Sequence, residues 1–333
     1  MMQVDKELPR VHILATGGTI AGKADSALNT SHYQAGMVPV TELTSAVPGL
    51  ADIAEVSAEQ VMNVPSSAIT PHDLLALVRR VDEIFSTDEG LSGIVITHGT
   101  DTMEESAYFA HLLVHHKRPV VFVGAMRPST ALSADGPMNL ANAVRVAANV
   151  RSRNQGVLVL MNDEVYSARD VTKTNTARLH TFRSPDLGPL GFVDGGEVSY
   201  YHSPLKKHTY LSEFQLESLS ELPRVDIIYS YTGADRILIE AISKAGARGL
   251  VMAGSGAGSI HRDAAAALRE LQASGTAIVR SSRTGAGRVL TWPKSPHDLT
   301  ADNLNPQKAR ILLSLALSKT SDITELRRIF SEY

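Results

Sequence analysis

Thr100 and Asp101 place a hydroxyl beside a carboxylate in a short turn, residues 97–102, that follows the apolar run 93–96. The run is typical of a buried strand, and the acidic residues after the turn are typical of a helix start. Such a turn lies at the carboxyl edge of a parallel sheet, where α/β proteins bind ligands. A hydroxyl and a carboxylate near a helix N-terminus can position or activate a nucleophile such as water. The same residue types also occur in strand-to-helix turns that have no catalytic role.

A second hydroxyl, Thr19, follows the strand-like run 11–15 in a turn that contains Gly17 and Gly18. Adjacent glycines let the backbone turn sharply and approach a ligand closely. The turn lacks the Walker and the Gly-x-Gly-x-x-Gly spacings, which excludes these two kinds of phosphate-binding loop. A threonine hydroxyl is a weak nucleophile until a base takes its proton. The small, polar residues 21–36, called the lid segment below, carry Tyr33, which could be that base or could simply pack.

Lys173 lies among short hydroxyl residues, 170–176, after another predicted strand. It could act as a buried ammonium near a site, although a lysine in such a loop is more often a solvated charge. In the turn with Thr100, the base could be Asp101, or Lys173 acting through Thr100. Backbone N–H groups of the glycine turns could stabilise an oxyanion. Together these residues suggest acyl transfer or hydrolysis without a metal or cofactor.

The elements that must position these residues follow an α/β pattern. The chain has 333 residues, 43% of them hydrophobic, which favours two domains. Alternating strand and helix signals predict a larger N-terminal catalytic domain, residues 1–200, with a central, mostly parallel sheet. The polar residues 201–223 predict a linker. The alternation then resumes over 224–333, which predicts a smaller, flavodoxin-like α/β domain.

Helix starts can be read from capping residues. Thr70 followed by Pro71 predicts an N-cap and first turn. Thr102, with Glu105 three residues later, predicts a capping box. Asn305 before a proline predicts another N-cap.

Composition excludes several function classes. The net charge of −3 and the pI near 6.5 leave no electrostatic footprint for nucleic acid. The chain has no cysteine, so disulfides, thiolate metal sites and cysteine nucleophiles are excluded. No apolar run is long enough to span a membrane. The polar N-terminus predicts a cytoplasmic protein, or a periplasmic one if a leader was removed.

Three further features have less specific interpretations. His111 and His115 are spaced like helical metal ligands, but no carboxylate completes a His-Glu-x-x-His pattern, so no metal site is expected. His98 is expected to be a packed, hydrogen-bonded histidine. The glycine-rich loop 254–259 could bind an anion through its backbone N–H groups.

The chain resembles the bacterial-type L-asparaginases. The resemblance rests on residues 15–22, Ala-Thr-Gly-Gly-Thr-Ile-Ala-Gly, on residues 97–105, Thr-His-Gly-Thr-Asp-Thr-Met-Glu-Glu, and on residues 170–176, Asp-Val-Thr-Lys-Thr-Asn-Thr. The blocks 123–128 and 304–310 are also similar to blocks of that family. The resemblance covers nearly the whole chain, and its first two blocks are together highly specific.

This resemblance implies a cofactor-free threonine amidohydrolase that converts L-asparagine and water to L-aspartate and ammonia. Thr19 matches the primary nucleophile of the family, and Tyr33 matches the lid tyrosine that activates it. Thr100, Asp101 and Lys173 match a second, triad-like catalytic set.

The resemblance also implies substrate-binding residues and an assembly. Ser66 matches the residue that binds the α-carboxylate, and Asp101, beside Thr100, matches the one that holds the α-amino group. Ser67 and Ser259 match further substrate contacts, the second supplied by an adjacent subunit. Family members form homotetramers, as dimers of intimate dimers, so a homotetramer is expected here.

The sequence departs from the family pattern at three places. Ser67 stands where several members carry Gln or Glu, so the preference for asparagine over glutamine is open. Ser259 stands where other members carry Asn or Ser. Residues 284–303 contain no glutamate, whereas many members place one there that approaches the substrate's amino group from the next subunit. Asp298 could take its place; without a replacement, recognition of the amino group should weaken by roughly 1–3 kcal/mol.

Three other functions remain to be weighed. The first is a glutaminase-asparaginase of broader specificity. The second is the asparaginase-like subunit of a tRNA-dependent amidotransferase, against which the short segment before the first strand argues. The third is a non-catalytic amino-acid binder on the same fold, against which the full set of catalytic residue types argues.

Overall fold

The computed structural model describes residues 7–291 and 298–333. Two compact units divide the chain, one ending at Ser212 and the other beginning at Glu213. This division lies inside the segment 201–223, which the sequence predicts to be a linker.

The first unit is built on an eight-stranded sheet that is mostly parallel, which confirms the predicted α/β class. The order across the sheet is β10-β9-β6-β5-β4-β3-β1-β2, and β7 and β8 pair in a small separate hairpin. The first unit's strands are β1 (Arg10–Ala15), β2 (Glu55–Gln60), β3 (Leu91–Thr97), β4 (Val120–Val123), β5 (Val157–Met161), β6 (Glu164–Ser167), β7 (Thr172–Lys173), β8 (Phe182–Arg183), β9 (Gly191–Asp194) and β10 (Glu197–Tyr200).

Helices pack against this sheet and bury its apolar side chains. Val95 of β3 and Val121 of β4 are fully buried in one cluster with Leu140 and Val144 of the long helix that follows β4. Burial of each such side chain contributes roughly 1.5–3 kcal/mol to stability. The α-helices of the first unit are α1 (Val40–Ser45), α2 (Leu50–Ile53), α3 (Pro71–Thr87), α4 (Met103–Leu113) and α5 (Gly136–Ala148).

The structure confirms the predicted cap at Thr70 and contradicts the one predicted at Thr102. Thr70 caps α3 as predicted: its hydroxyl accepts the Asp73 N–H at 3.3 Å, and the Asp73 carboxylate accepts the Thr70 N–H at 2.9 Å. The capping box predicted for Thr102 and Glu105 is wrong. The Glu105 N–H donates to the backbone carbonyl of Thr102 at 3.1 Å, and the Thr102 hydroxyl donates to the carbonyl of Ser66 at 2.7 Å. The Thr102 hydroxyl therefore bonds to a residue distant in sequence and does not cap the helix.

The antiparallel edge formed by β6, β9 and β10 was not predicted. Two-residue turns make its hairpins: Asn162 and Asp163 connect β5 to β6, and Gly195 and Gly196 connect β9 to β10, all four with positive φ. Such residue pairs favour tight hairpins, because their backbone twist matches that of the flanking strands. The pairs Asn-Asp and Gly-Gly therefore indicate two hairpins, and with them the strands on either side of each pair.

The sheet reverses its direction of growth between β1 and β3. The connection from β1 leads to β2 on one side, whereas β3 leads to β4 and β5 on the other. At such a reversal the loops after adjacent strands diverge and leave a crevice at the carboxyl ends. The turns that carry Thr19 and Thr100 follow these two strands.

The second unit is a smaller, fully parallel α/β domain, as predicted. Its sheet has the order β11-β12-β13-β14. Among the described residues of both units, no helix combines the length and the apolarity needed to cross a bilayer. The elements are β11 (Val225–Tyr229), β12 (Gly249–Gly254), β13 (Ala277–Ser282), β14 (Leu299–Thr300), α6 (Ile237–Lys244), α7 (Arg262–Ala273), α8 (Pro306–Lys319) and α9 (Ile323–Glu332).

Candidate active site

The two hydroxyl-bearing turns of the first unit touch each other. Strands β1 and β3 end in register, with Ala15 opposite Thr97, and the Thr16 hydroxyl donates to the Thr97 carbonyl at 2.8 Å. Beyond the strands, Gly18 has a φ of 85°, and a β-carbon added there would lie 2.4 Å from the α-carbon of Gly99. Only a residue without a side chain allows this approach. The two turns are thus in backbone contact.

Thr19 and Tyr33 meet beyond the carboxyl end of β1. The Thr19 Oγ1 and the Tyr33 hydroxyl oxygen lie 2.6 Å apart, so one donates a hydrogen bond to the other. Thr19 is 93% buried and begins a short 3₁₀ turn after the glycines. Tyr33 belongs to the lid segment, whose base is closed by two backbone hydrogen bonds of 3.0 Å between Lys23 and Gln34. The lid segment therefore holds the Tyr33 hydroxyl against Thr19, the pair of residues that the sequence analysis considers together.

The Lys173 ammonium joins the residues of the other turn. Its Nζ donates to the Thr100 Oγ1 at 2.9 Å and to the Asp101 Oδ1 at 2.7 Å. The Lys173 side chain is only 16% exposed, whereas the Asp101 side chain is 70% exposed. Lys173 is therefore not a freely solvated loop charge. Its position lets it stabilise negative charge on the Thr100 oxygen or on Asp101.

The support beneath Lys173 was missed by sequence reasoning. Thr181, fully buried, accepts two hydrogen bonds of 2.8 Å at its carbonyl, from the N–H and the hydroxyl of Thr174. The Thr181 hydroxyl accepts the Asn175 N–H at 2.8 Å. These bonds hold the β7–β8 hairpin that carries Lys173. Asn175 lies in the sequence block 170–176, but no local spacing indicates that Thr181 is its hydrogen-bond partner.

Ser66 lies beside the same turn. Its carbonyl accepts the Thr102 hydroxyl, and its own hydroxyl accepts the Thr102 N–H at 3.4 Å. Ser66 is buried, and the next residue, Ser67, is exposed. The structure thus brings Thr100, Asp101, Thr102 and Ser66 to one edge of the sheet.

Ser259 belongs to the second unit, so its contact with a neighbouring subunit's substrate stays a prediction. Its loop is closed by two backbone hydrogen bonds between Ser255 and Ser259, of 2.9 and 2.8 Å. The N–H groups of these two residues are therefore already paired. Binding of an anion by the other N–H groups of the loop 254–259 stays a prediction.

The proposed replacement of the missing glutamate by Asp298 is also wrong. Both Asp298 oxygens accept hydrogen bonds of 2.7 Å from the guanidinium of Arg280, and both side chains are more than 90% buried. A buried arginine requires such a carboxylate, because an unpaired charge in the interior is costly. Residues 292–297, within the segment that lacks the glutamate, lie outside the described residues.

His98 and His111 are buried histidines. His98 is fully buried, with its Nδ1 2.7 Å from the carbonyl oxygen of Gly99, and burial lowers its pKa to about 4. It is the packed histidine that the sequence predicts. His111 accepts the Val157 N–H at 3.2 Å, and its ring centroid lies 5.2 Å from that of His208. Within residues 7–291 and 298–333, no three metal-ligating side chains are grouped so that they could hold an ion.

Two domain models of known proteins match the chain. Residues 10–206 match "Asparaginase, N-terminal", and residues 224–330 match "Glutaminase/Asparaginase C-terminal domain". The two matches together span most of the sequence.

Individual relatives are similar over nearly the whole length. The chain is 48% identical to L-asparaginase 2 of Bacillus subtilis, an alignment that covers 98% of this chain and 88% of that protein. It is 46% identical to the glutaminase-asparaginase of Pseudomonas aeruginosa, over 98% of this chain and 91% of that protein. Among solved structures, a probable cytoplasmic L-asparaginase from Campylobacter jejuni superimposes with a TM-score of 0.95 at 46% identity, over 98% of this chain and 100% of that chain.

Proposed function

The chain belongs to the asparaginase family of amidohydrolases, and on this premise we propose that it hydrolyses L-asparagine to L-aspartate and ammonia with Thr19 as the nucleophile. The observation that carries the proposal is the 2.6 Å hydrogen bond between Thr19 and Tyr33. It supplies the base that a threonine nucleophile needs. The backbone contact between the two turns supports a site that Thr19 shares with the cluster of Thr100, Asp101 and Lys173.

In the first step, the Thr19 oxygen attacks the carbon of the side-chain amide. The Tyr33 oxygen takes the Thr19 proton while the phenolic proton passes towards the leaving nitrogen. The C–N bond then breaks, ammonia departs, and an ester of Thr19 with aspartate remains. Backbone N–H groups of the glycine turns are suited to stabilise the oxyanion that forms on the way.

In the second step, water attacks the ester carbon, and Thr19 leaves with a proton restored to its oxygen. Lys173, hydrogen-bonded to Thr100 at 2.9 Å, orients the Thr100 hydroxyl so that it holds this water, and the proton that the water loses passes through the Tyr33 hydroxyl to the leaving Thr19 oxygen. Asp101 balances the charge of the ammonium. The overall reaction consumes one water and releases one ammonia.

The substrate's charged ends have complementary partners. We assign the α-carboxylate to the buried hydroxyl of Ser66 and the α-ammonium to Asp101, whose exposed carboxylate has an oxygen left after its bond to Lys173. Ser67 and the partner subunit's Ser259 complete the proposed binding residues. A carboxylate that accepts a charged donor contributes more than a neutral hydrogen bond.

A glutaminase-asparaginase is the second candidate. The observation that favours it is Ser67, whose small, exposed side chain leaves more room than the Gln or Glu of other members. The relative from Pseudomonas aeruginosa that bears this name is 46% identical. Comparison of ammonia release from L-asparagine, D-asparagine and L-glutamine separates the candidates, and a purely binding protein would release none from any of them.

The nucleophile is tested by Thr19→Ala. Ammonia release from L-asparagine should vanish, while the circular dichroism spectrum and the binding of L-aspartate, measured by calorimetry, should persist. The matched control is Thr324→Ala, at an exposed threonine near the start of α9, which should keep full activity. Retained turnover in Thr19→Ala would refute the nucleophile assignment.

We further propose a homotetramer, as the resemblance to the family implies, and a cytoplasmic location. The location is supported by the similarity to the Campylobacter jejuni protein named as cytoplasmic, although a relative from Haemophilus influenzae is named as periplasmic. Light scattering coupled to size exclusion tests the first proposal, and fractionation of the producing cell tests the second.

A further inference from the structure

The loop after β4, residues 126–135 and called the latch loop below, is hydrogen-bonded to the start of the lid segment. The N–H and the hydroxyl of Ser129 both donate to the carbonyl of Gly22, at 2.9 and 2.8 Å. The hydroxyl of Thr130 accepts the N–H of Ala24 at 2.9 Å and lies 3.3 Å from the carbonyl of the same residue. Two side-chain hydroxyls of the latch loop thus bind the lid backbone on both sides of Lys23.

A third contact lies further along the lid segment. The N–H of Leu132 donates to the carbonyl of Ala27 at 2.7 Å. Gln34, the residue after Tyr33, is paired through its backbone with Lys23 near the start of the lid segment. The first half of the lid segment is therefore hydrogen-bonded to the latch loop. The Lys23–Gln34 pairing in turn connects Tyr33 to that first half.

The latch loop is itself held in place. The two oxygens of Asp135 accept the N–H groups of Met126 and Arg127, each at 2.9 Å. The Arg127 guanidinium donates to the carbonyl of Ser133 at 2.8 Å. Asp135 immediately precedes α5, so the loop is fixed to a helix of the core.

We propose that Ser129 and Thr130 are positioning residues that keep the lid closed and so hold the Tyr33 hydroxyl against Thr19. This inference rests on the proposed function, because it assigns catalytic value to the closed lid. Neither residue touches the reacting atoms: each acts through the lid backbone. If the hydroxyls are lost, the lid opens more often, and the fraction of molecules ready to bind and react falls.

The test is Thr130→Val, which removes the hydroxyl and keeps the side-chain volume, with Thr130→Ser as the rescue. Loss of about two modest hydrogen bonds should lower kcat/KM for L-asparagine roughly tenfold. The loss in kcat should be smaller, because bound substrate favours the closed lid. Thr130→Ser should restore both constants. The control Thr87→Val removes a hydroxyl bonded within its own helix, at 2.9 Å from the Glu83 carbonyl, and should change neither.

A second readout needs no activity. Lys23 is the one lysine or arginine between Arg10 and Arg79, so trypsin cleavage of the lid occurs after Lys23 alone. Lys23 is exposed, but its backbone is hydrogen-bonded to that of Gln34. Opening of the lid frees this backbone for the protease, so cleavage in Thr130→Val should be severalfold faster than in the wild-type chain and in Thr130→Ser.

The two readouts separate the outcomes. Unchanged cleavage in Thr130→Val would overturn the latch, and faster cleavage with unchanged kcat/KM would overturn its role in positioning Tyr33. A wild-type protein that releases no ammonia would overturn the proposed function, while the cleavage rates would still show whether the loop holds the lid.

Discussion

The ring of Tyr33 lies directly against the backbone of Gly22. A β-carbon added to Gly22 would lie 2.8 Å from the Cδ2 of Tyr33 and 2.9 Å from the carbonyl oxygen of Thr19. Real β-carbons do not approach other atoms so closely, so any side chain there must displace both neighbours. Gly22 has an ordinary extended backbone, with a φ of −87°, so the requirement for glycine comes from contact and not from conformation.

Gly22→Ala should therefore reduce kcat by roughly 10- to 100-fold, because a shift of about 1 Å in a catalytic group has effects of this size. The measurement is steady-state ammonia release together with a melting curve, which reports the stability lost by the shift of the Thr19 carbonyl. Gly90→Ala is the matched control, since its added carbon would meet only flexible side chains, those of Arg10 and Asp88. Full activity of Gly22→Ala would show that the ring position does not matter.

Lys173→Met tests the ammonium that joins Thr100 and Asp101. The change keeps the length of the side chain and removes both hydrogen bonds, so kcat should fall by about 10²- to 10³-fold, as expected for loss of a charged donor in the site. Lys173→Arg should restore little, because a planar guanidinium cannot reproduce one compact donor.

The control for this change is Lys244→Met, at an exposed lysine in the last turn of α6. Its kcat should equal that of the wild-type enzyme. A decrease of less than twofold in Lys173→Met would contradict the proposed second step.

The individual pieces of the site could be predicted from local sequence. Thr19, Thr100 and Asp101 each follow an apolar, strand-like run, and the ends of parallel strands lie at one edge of a sheet. That β1 and β3 are adjacent in the sheet could not be predicted in this way. Strand order depends on contacts between distant residues, and no short window contains them.

The same limit explains the corrections. The Thr102 hydroxyl binds the carbonyl of Ser66, which is 36 residues away, and Thr130 binds Ala24, which is 106 residues away. Capping and turn rules consider only neighbours within a few residues. Asp298 was a plausible substrate ligand on charge alone, but its partner Arg280 is set by the pairing of β13 with β14.

Asp298→Ala separates a structural role from a substrate-binding role. Removal of one partner of the buried pair with Arg280 should lower the free energy of unfolding by about 3–5 kcal/mol, because the buried guanidinium loses the carboxylate that balances its charge. Chemical denaturation measures this loss. At a temperature where the variant is still folded, KM for L-asparagine should stay within about twofold of the wild-type value, since Asp298 is already engaged. A large rise in KM without loss of stability would restore Asp298 as a substrate ligand.

Among the described residues, four histidines have pKa values below the ordinary one, and burial is the main cause in each case. They are His12, His98, His116 and His208. Nearby carboxylates oppose the effect at His12 and His116 without reversing it. His98, fully buried with its Nδ1 beside the Gly99 carbonyl, has the pKa of about 4. These imidazoles are therefore held neutral by the fold and become protonated more easily when the chain unfolds.

Acidification should for this reason destabilise the protein well above the usual carboxyl range. Between the ordinary histidine pKa and the lowered one, the unfolded chain binds more protons than the folded chain, so stability is fully present above about pH 6.5 and falls as the pH drops. His98 alone should contribute a loss on the order of 2 kcal/mol between pH 7.5 and 5. The measurement is guanidinium unfolding across this range at one protein concentration, because an oligomer's stability depends on concentration. His98→Asn should unfold at lower denaturant at pH 7.5 but lose less stability on going to pH 5. A protein that gains stability over this interval would contradict the burial of neutral histidines.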